Sequence, residues 1–217
     1  MYYAFIPARA GSKEIKNKNL IWIDKLPLIA YAIRAAQQSK YISEIYVSTN
    51  SEQIAKMSEQ YRAKIFRRSE ETASDEANTE SALIEFCKEI ECENIVFLQA
   101  TSLFTKGEHI DEAIEQLEKE GNDSILSVVR NHQFLWRPND NVLPMNYNTY
   151  NRPRRQDWPG YFIENGAFYI NSRKNILERG CRITDKKSFY EMPKESLFEI
   201  DTEEDIKIVE KLLRDKN

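Results

Sequence analysis

Residues 44–68 read EIYVSTNSEQIAKMSEQYRAKIFRR. The first seven residues mix β-branched and aromatic side chains, which favour extended chain. SEQIAKMSEQY reads as a helix, with Asn50 and Gln53 resembling a capping box at its start. AKIFRR returns to strand. Strand, helix and strand joined by such short connections form the unit from which parallel sheets are built.

The same alternation extends in both directions. YYAFIPA (2–8) and NIVFLQA (94–100) are short apolar runs of strand length, and DSILSVV (123–129) is another. Between them lie helical stretches. LIAYAIRAAQQ follows Pro27, which suits a helix start, TESALIEFCKEI spans 79–90, and EHIDEAIEQLEKE is stopped by Gly121. YFIENGAFYI (161–170) reads as a returning strand and SRKNILERG as a short helix. TEEDIKIVEKLLRD closes the chain with Ile206, Val209, Leu212 and Leu213 on one face. The pattern predicts an α/β fold: a Rossmann-like three-layer αβα sandwich with a mostly parallel sheet. Residues 130–160 are rich in Asn, Pro, Arg and Trp, show no periodicity, and read as an excursion from that sheet. The expected organisation is one domain over 1–217, with 130–162 inserted as a dimerisation and substrate segment.

The chain has 217 residues, 30% charged and 41% apolar, as a soluble globular domain has. Its formal net charge of −4 argues against a nucleic-acid partner. No apolar run approaches the roughly 20 residues that cross a bilayer, and the first residues lack a basic, then apolar, leader pattern. A cytoplasmic location without membrane attachment is therefore expected. Cys87, Cys92 and Cys181 include at least one that cannot pair, which suits reduced thiols. Cys87 and Cys92 are not spaced as a zinc pair, and buried structural cysteines are the preferred reading.

Positive charge is clustered. In IPARAGSKEIKNKNL (6–20), Arg9, Lys13, Lys16 and Lys18 face a single Glu14. Ser12, Asn17 and Asn19 add neutral donors, and Gly11 permits close backbone approach. In open α/β sheets ligands sit beyond the carboxyl ends of the strands, and this loop follows the first strand directly. The residues alone leave two readings, a phosphate cradle and a solvated basic loop. Neither GxxxxGK[ST] nor GxGxxG is present.

IPARAGSKEIKNKNL resembles the opening motif of the cytidylyltransferases that activate sialic acid and related nine-carbon keto sugar acids. LPLIAYAI, VSTNSEQIA, ETASD, LQATS, RRQDWP, ENGAFYI and IDTEED resemble further stretches of that family in the same order, over nearly the whole chain. Ala10, Glu14, Lys16 and Asn17 depart from the usual Gly, Gly, Pro and Arg, while Arg9, Gly11, Ser12, Lys13, Lys18 and Asn19 stand. The resemblance implies a nucleotidyltransferase that moves CMP from CTP to the anomeric hydroxyl of a nonulosonic acid (sialic, legionaminic or pseudaminic type) and releases pyrophosphate.

The resemblance also implies site residues. Arg9 and Lys18 would clamp the triphosphate, with Ala8, Gly11, Ser12, Lys13 and Asn19 around them. Arg68, Ala77 and Thr79 would lie along the cytidine, with Asp75 holding their loop; locally, Asp75 also reads as a helix cap. Gln99, Arg155, Gln156, Asn165 and Tyr169 would contact the sugar acid. Arg155 has the fork that suits a carboxylate, and Asn165 and Tyr169 would share one face of a strand. Asp201 and Glu199 would bind Mg²⁺, both side chains pointing the same way from a strand, although Asp201 with Glu204 also resembles a capping box. A homodimer is implied, with Phe134, Leu135 and Trp136 as anchors. Arg182 and Ile183 stand where sialic-acid enzymes carry aromatic residues, which favours a legionaminic-type acid. The alternatives are nucleotidyl transfer to another sugar, or a non-catalytic nucleotide-sugar binding homologue.

Overall fold

A computed structural model describes residues 1–11, 14–138 and 142–214. Its main elements, in chain order, are β1 (Tyr2–Pro7), α1 (Leu28–Gln38), β2 (Ile42–Thr49), α2 (Glu52–Gln60), β3 (Lys64–Arg67), α3 (Thr79–Glu89) and β4 (Asn94–Leu98). They continue as α4 (Gly107–Glu120), β5 (Ser124–Asn131), β6 (Tyr161–Ser172), α5 (Arg173–Arg179), β7 (Lys187–Glu191) and α6 (Glu203–Arg214). One seven-stranded sheet runs β7-β5-β6-β4-β1-β2-β3. β1 pairs in parallel with both β2 and β4, β2 with β3, and β5 with β7. β6 alone is antiparallel, wedged between β4 and β5. The expected mostly parallel α/β sheet is therefore the one observed.

Side-chain alternation divides the core. Ala4, Ile6, Val96, Leu98, Phe168 and Ile170 pack on one face against Ile29 and Ile33 of α1, Ile54 of α2, and Ile110 and Ile114 of α4. Phe5, Phe66, Phe97, Leu126 and Tyr169 pack on the other face against Leu83 and Phe86 of α3 and Ile176 of α5. Phe86 is the hub there, with ring centroids 5.0 Å from Phe5, 5.2 Å from Tyr46 and 5.2 Å from Phe66. A third cluster joins Ile15 of the opening loop, Leu103 and Phe104 after β4, Ile200, and Val209 of α6. Val209 is buried and Ile206, Leu212 and Leu213 are partly buried against that cluster, as the helical spacing predicts.

Three local expectations are corrected. α2 is capped by Ser51, whose Oγ accepts from Ile54 N at 3.3 Å, and not by Asn50. The Asn50 Oδ1 instead accepts from Ala10 N at 2.9 Å and ties down the opening loop. Asn165 and Tyr169 do not share a face, because the β5–β6 register shifts between Glu164 and Tyr169, where Gly166 adopts φ 67°. Glu199 and Asp201 lie in irregular chain after a 3₁₀ turn (Lys194–Leu197) rather than in a strand. The edge strand β7 is an addition to the expected elements. Its Ser188 and Tyr190 are buried while Lys187, Phe189 and Glu191 are exposed.

Residues 132–160 leave the sheet as an arm. Within it Trp136–Arg137 pairs with Leu143–Pro144, and residues 139–141 lie outside the described residues. Phe134 stacks on Trp158 at 5.1 Å and lies 4.2 Å from Tyr147, with the Arg152 guanidinium 4.2 Å from the Phe134 ring. Leu135, Trp136, Leu143, Met145 and Tyr150 remain exposed.

Phe86 is fully buried against the rings of Phe5, Tyr46 and Phe66. Phe86→Ala is expected to lower unfolding free energy by about 3–5 kcal/mol in urea denaturation, through lost transfer energy and the cavity left behind. A loss below about 1 kcal/mol would show that this face collapses around the gap.

Candidate active site

The opening loop leaves β1 by continuing the parallel ladder, with Ala8 N donating to Ser48 O at 2.9 Å. Gly11 has φ 84° and Asn17 φ 56°, both in the left-handed region, where Gly and Asn are best tolerated. The loop then closes in a 3₁₀ turn over Lys18–Leu20. Ile15 anchors it in the third core cluster, and Asn19 Nδ2 donates to Arg9 O at 3.4 Å. Ser12 and Lys13 lie outside the described residues.

This loop and those after β3 and β4 border a cavity of about 720 Å³. Ala8, Arg9, Lys18, Asn19, Arg68, Ala77, Thr79, Gln99 and Asp201 all line it. Pro7, Ala100, Thr101 and Thr202, which the sequence did not single out, line it as well, and so does Glu14, the one acid of the opening loop. The strand-end position of LQATS was the signal that could have added Thr101.

Two of the three principal cations of the cavity, Arg9 and Lys18, are held by a carboxylate. Arg9 Nη1 donates to Asp75 Oδ1 at 2.7 Å and to Ser74 O at 2.9 Å. Lys18 Nζ donates to Asp201 Oδ1 at 2.9 Å. The Arg68 guanidinium donates to Thr72 O, and its buried Nε has no partner among the described residues. Burial, reinforced by the nearby positive Arg9, pushes the Arg68 guanidinium below its ordinary range. Asp75 is not a helix cap, because Asn78 caps α3 by accepting from Ser81 N at 2.8 Å.

A second cavity of about 500 Å³ adjoins the first and shares Asp201 with it. Glu164, Asn165, Gly166, Tyr169, Glu199 and Asp205 are among its walls. Tyr169 donates its hydroxyl to Glu164 and packs edge-on to Phe97 at 5.6 Å. Burial first, then Glu164, raises the Tyr169 phenol well above its usual range. The Asn165 amide faces Ser196, with Nδ2 2.8 Å from its Oγ, so it is spent on structure. Arg155 and Gln156 sit on an exposed 3₁₀ turn (Arg155–Asp157) of the arm and line neither cavity.

The Asp201–Glu204 capping box is also replaced. The Thr202 Oγ1 accepts from Asp205 N at 3.3 Å, and Asp205 Oδ2 accepts from Thr202 N at 2.7 Å and Asp201 N at 3.0 Å. Those backbone donors hold the Asp205 carboxyl below its usual range. The Asp201 carboxylate is thereby left to Lys18. Burial and the neighbouring Asp201 charge raise the Glu199 carboxyl. Two acidic groups that repel each other in this way suit a hard divalent cation completed by phosphate and water oxygens, as Mg²⁺ commonly is. Among the described residues no three His, Cys, Asp or Glu side chains surround a single point, so they offer at most this pair. No helix among them is long and apolar enough to cross a membrane.

A family model described as "Cytidylyltransferase" matches residues 3–217. N-acylneuraminate cytidylyltransferase A of Danio rerio is 39% identical over 213 residues, covering 95% of this chain and 49% of that protein. N-acylneuraminate cytidylyltransferase of Escherichia coli O18:K1:H7 is 32% identical over 227 residues, covering 99% of this chain and 52% of that protein. The post-translational flagellin modification protein B of Campylobacter coli is 31% identical over 222 residues, covering 98% and 94%. The chain spans about half the length of the N-acylneuraminate relatives. CMP:2-keto-3-deoxy-manno-octonic acid synthetase complexed with CTP has a similar fold, with TM-score 0.75 at 15% identity, covering 100% of this chain and 99% of that one. So has 4-diphosphocytidyl-2C-methyl-D-erythritol synthase from Anaerococcus prevotii, with TM-score 0.74 at 17% identity, covering 98% and 96%.

The division of labour at 201–205 is open to a direct stability comparison. Thr202→Ala is expected to lower unfolding free energy by about 1 kcal/mol, while Asp201→Ala stays within about 0.5 kcal/mol of the parent. Chemical denaturation with the reverse ranking would return the capping role to Asp201.

Proposed function

The chain belongs to the cytidylyltransferase family, and from that premise we propose that it transfers CMP from CTP to the anomeric hydroxyl of a nonulosonic acid. The observation that carries this reading is the convergence of Arg9, Lys18 and Arg68 with Gln99 and Asp201 on one cavity at the carboxyl ends of β1, β3 and β4. In the proposed reaction the anomeric oxygen bonds to the α-phosphorus. The bond from that phosphorus to the bridging oxygen breaks, and pyrophosphate leaves with the electron pair while the hydroxyl proton passes to solvent. Such a transfer depends on positioning and charge neutralisation more than on covalent help from the protein.

An incoming triphosphate competes with Asp75 for Arg9 and with Asp201 for Lys18, so both cations are positioned before it arrives. Asp201 and Glu199 are the residues suited to hold Mg²⁺, which would neutralise charge on the leaving pyrophosphate. The second cavity, which shares the Asp201 wall with the first, is the proposed seat of the sugar acid, with Tyr169 and Glu164 on its wall. A nonulosonic substrate is supported by the names of the N-acylneuraminate relatives, and a legionaminic-type acid by Arg182 and Ile183. All three cysteines are free thiols, which suits the reducing cytoplasm.

We also propose a homodimer formed through the arm, whose exposed Leu135, Trp136, Leu143 and Met145 would be covered by a second copy. Arg155 rides on this segment and lines neither cavity of its own chain. In a dimer it can serve the partner's sugar carboxylate. One observation favours a second reading, a non-catalytic nucleotide-sugar binder: Glu14 puts a carboxylate on the wall of the proposed phosphate cavity.

Pyrophosphate release with CTP, Mg²⁺ and a panel of nonulosonic acids separates these readings. Turnover with at least one acid is expected, and Lys18→Ala should lower kcat/KM by about 100-fold or more. CTP binding without turnover on any acid would favour the binder. Sedimentation velocity should show a dimer at micromolar concentration and a monomer for Trp136→Asp; a monomeric parent protein would remove the dimer.

A further inference from the structure

Arg182 lies between α5 and β7 and lines neither cavity. Its side chain is 15% exposed and is held at both edge and face. At its edge, Nε and Nη2 donate to the two carboxylate oxygens of Glu80 at 2.5 and 2.7 Å, a bidentate pair. Its Cζ stands 4.3 Å from the Phe97 ring centroid and 4.9 Å from that of Tyr169. Its backbone oxygen accepts from Asn171 Nδ2 at 3.1 Å, which fixes the segment to β6. The hydrogen bond from the guanidinium thus holds the Glu80 carboxyl below its usual range, and the pair stays charged at neutral pH.

The two groups that Arg182 joins belong to different walls. Glu80 is in the first turn of α3, next to Thr79, which lines the first cavity. Tyr169 lines the second cavity and donates to one carboxylate oxygen of Glu164, which is exposed on the same wall and carries a second acceptor oxygen. A planar cation over an aromatic face favours one ring position, and the bidentate Glu80 contact prevents the cation from drifting with the ring.

We infer that Arg182 is a positioning residue for the sugar acid: it sets the Tyr169 ring, and through it Glu164, on the wall of the second cavity. That wall then offers a carboxylate acceptor of fixed place, which selects ring substituents that donate a hydrogen bond, hydroxyl or acylamino N–H, over substituents that only accept. This inference rests on the proposed cytidylyltransferase reaction.

Steady-state kinetics with each substrate varied in turn tests it. Arg182→Met combined with Glu80→Gln removes the brace without stranding a half-buried charge, so the double variant retains a fold that single truncation could lose. It should raise KM for the sugar acid about tenfold and leave KM for CTP within about twofold. Arg182→Lys, which keeps the charge but neither the fork nor the planar stack, should resemble the double variant more than the parent. In a Tyr169→Ala background the double substitution should add nothing further, because the ring it positions is gone. A sugar KM within about twofold of the parent, an equal loss in the Tyr169→Ala background, or a loss confined to CTP would each overturn the inference while leaving the reaction in place. No turnover by the parent protein with any nonulosonic acid overturns the reaction and this inference together.

Discussion

β1 is paired on both edges and covered on both faces, and the rest of the molecule depends on that. Phe5 and Ile6 are fully buried on opposite sides of the sheet, so the strand can neither slide nor tilt without exposing one of them. Its carboxyl end is therefore a fixed point, and the Ala8 bond to Ser48 carries the fixed geometry one residue into the loop. β4 ends beside it, with Gln99 N held by Ala167 O at 3.0 Å. The third core cluster completes the arrangement: Ile15, Ile200 and Val209 pack together, and this brings Lys18 to Asp201 across 183 residues of chain.

The fold was legible where burial on both faces leaves a short apolar run, as in NIVFLQA, and where helices between such runs end in recognisable punctuation. Gly121 at φ 62° is such a stop. Asn50 and Ser51 are both good caps, and only the path of the loop before α2 decides between them. Three features had no local signature. The insertion of β6 between β4 and β5 is a matter of strand order, which no side-chain pattern encodes. The bulge at Gly166 looks in sequence like any strand glycine. β7 is a five-residue edge strand whose alternation is diluted by polar residues. The cations of the first cavity were legible because they crowd into one loop after one strand. Their carboxylate partners were harder to assign. Asp75 and Asp201 each sit near a helix start, yet they pair with Arg9 and Lys18 while Asn78 and Thr202 do the capping.

The electrostatics explain how an acidic chain carries a basic loop. The first cavity is rich in cations and the second in carboxylates, and Asp201 stands on the boundary of both. An anionic chain of phosphates is at home in one, and a ligand rich in O–H and N–H donors in the other. Gly166 contributes space at the junction, since a Cβ there would lie 3.0 Å from Glu199 Oε1.

The arm's attachment has a consequence for how this protein can change over time. Its stem is closed by the pairing of Asn131 with Tyr161, and Gly160, at φ 74°, passes so close that a Cβ would meet Asn131 O at 2.3 Å. The segment thus leaves and rejoins the sheet at nearly one point. Insertions, deletions and new surfaces within it need not alter the register of β5 or β6. The choice of molecular company can therefore evolve at a different pace from the chemistry, with the glycine at the stem as the hinge pin that both histories share.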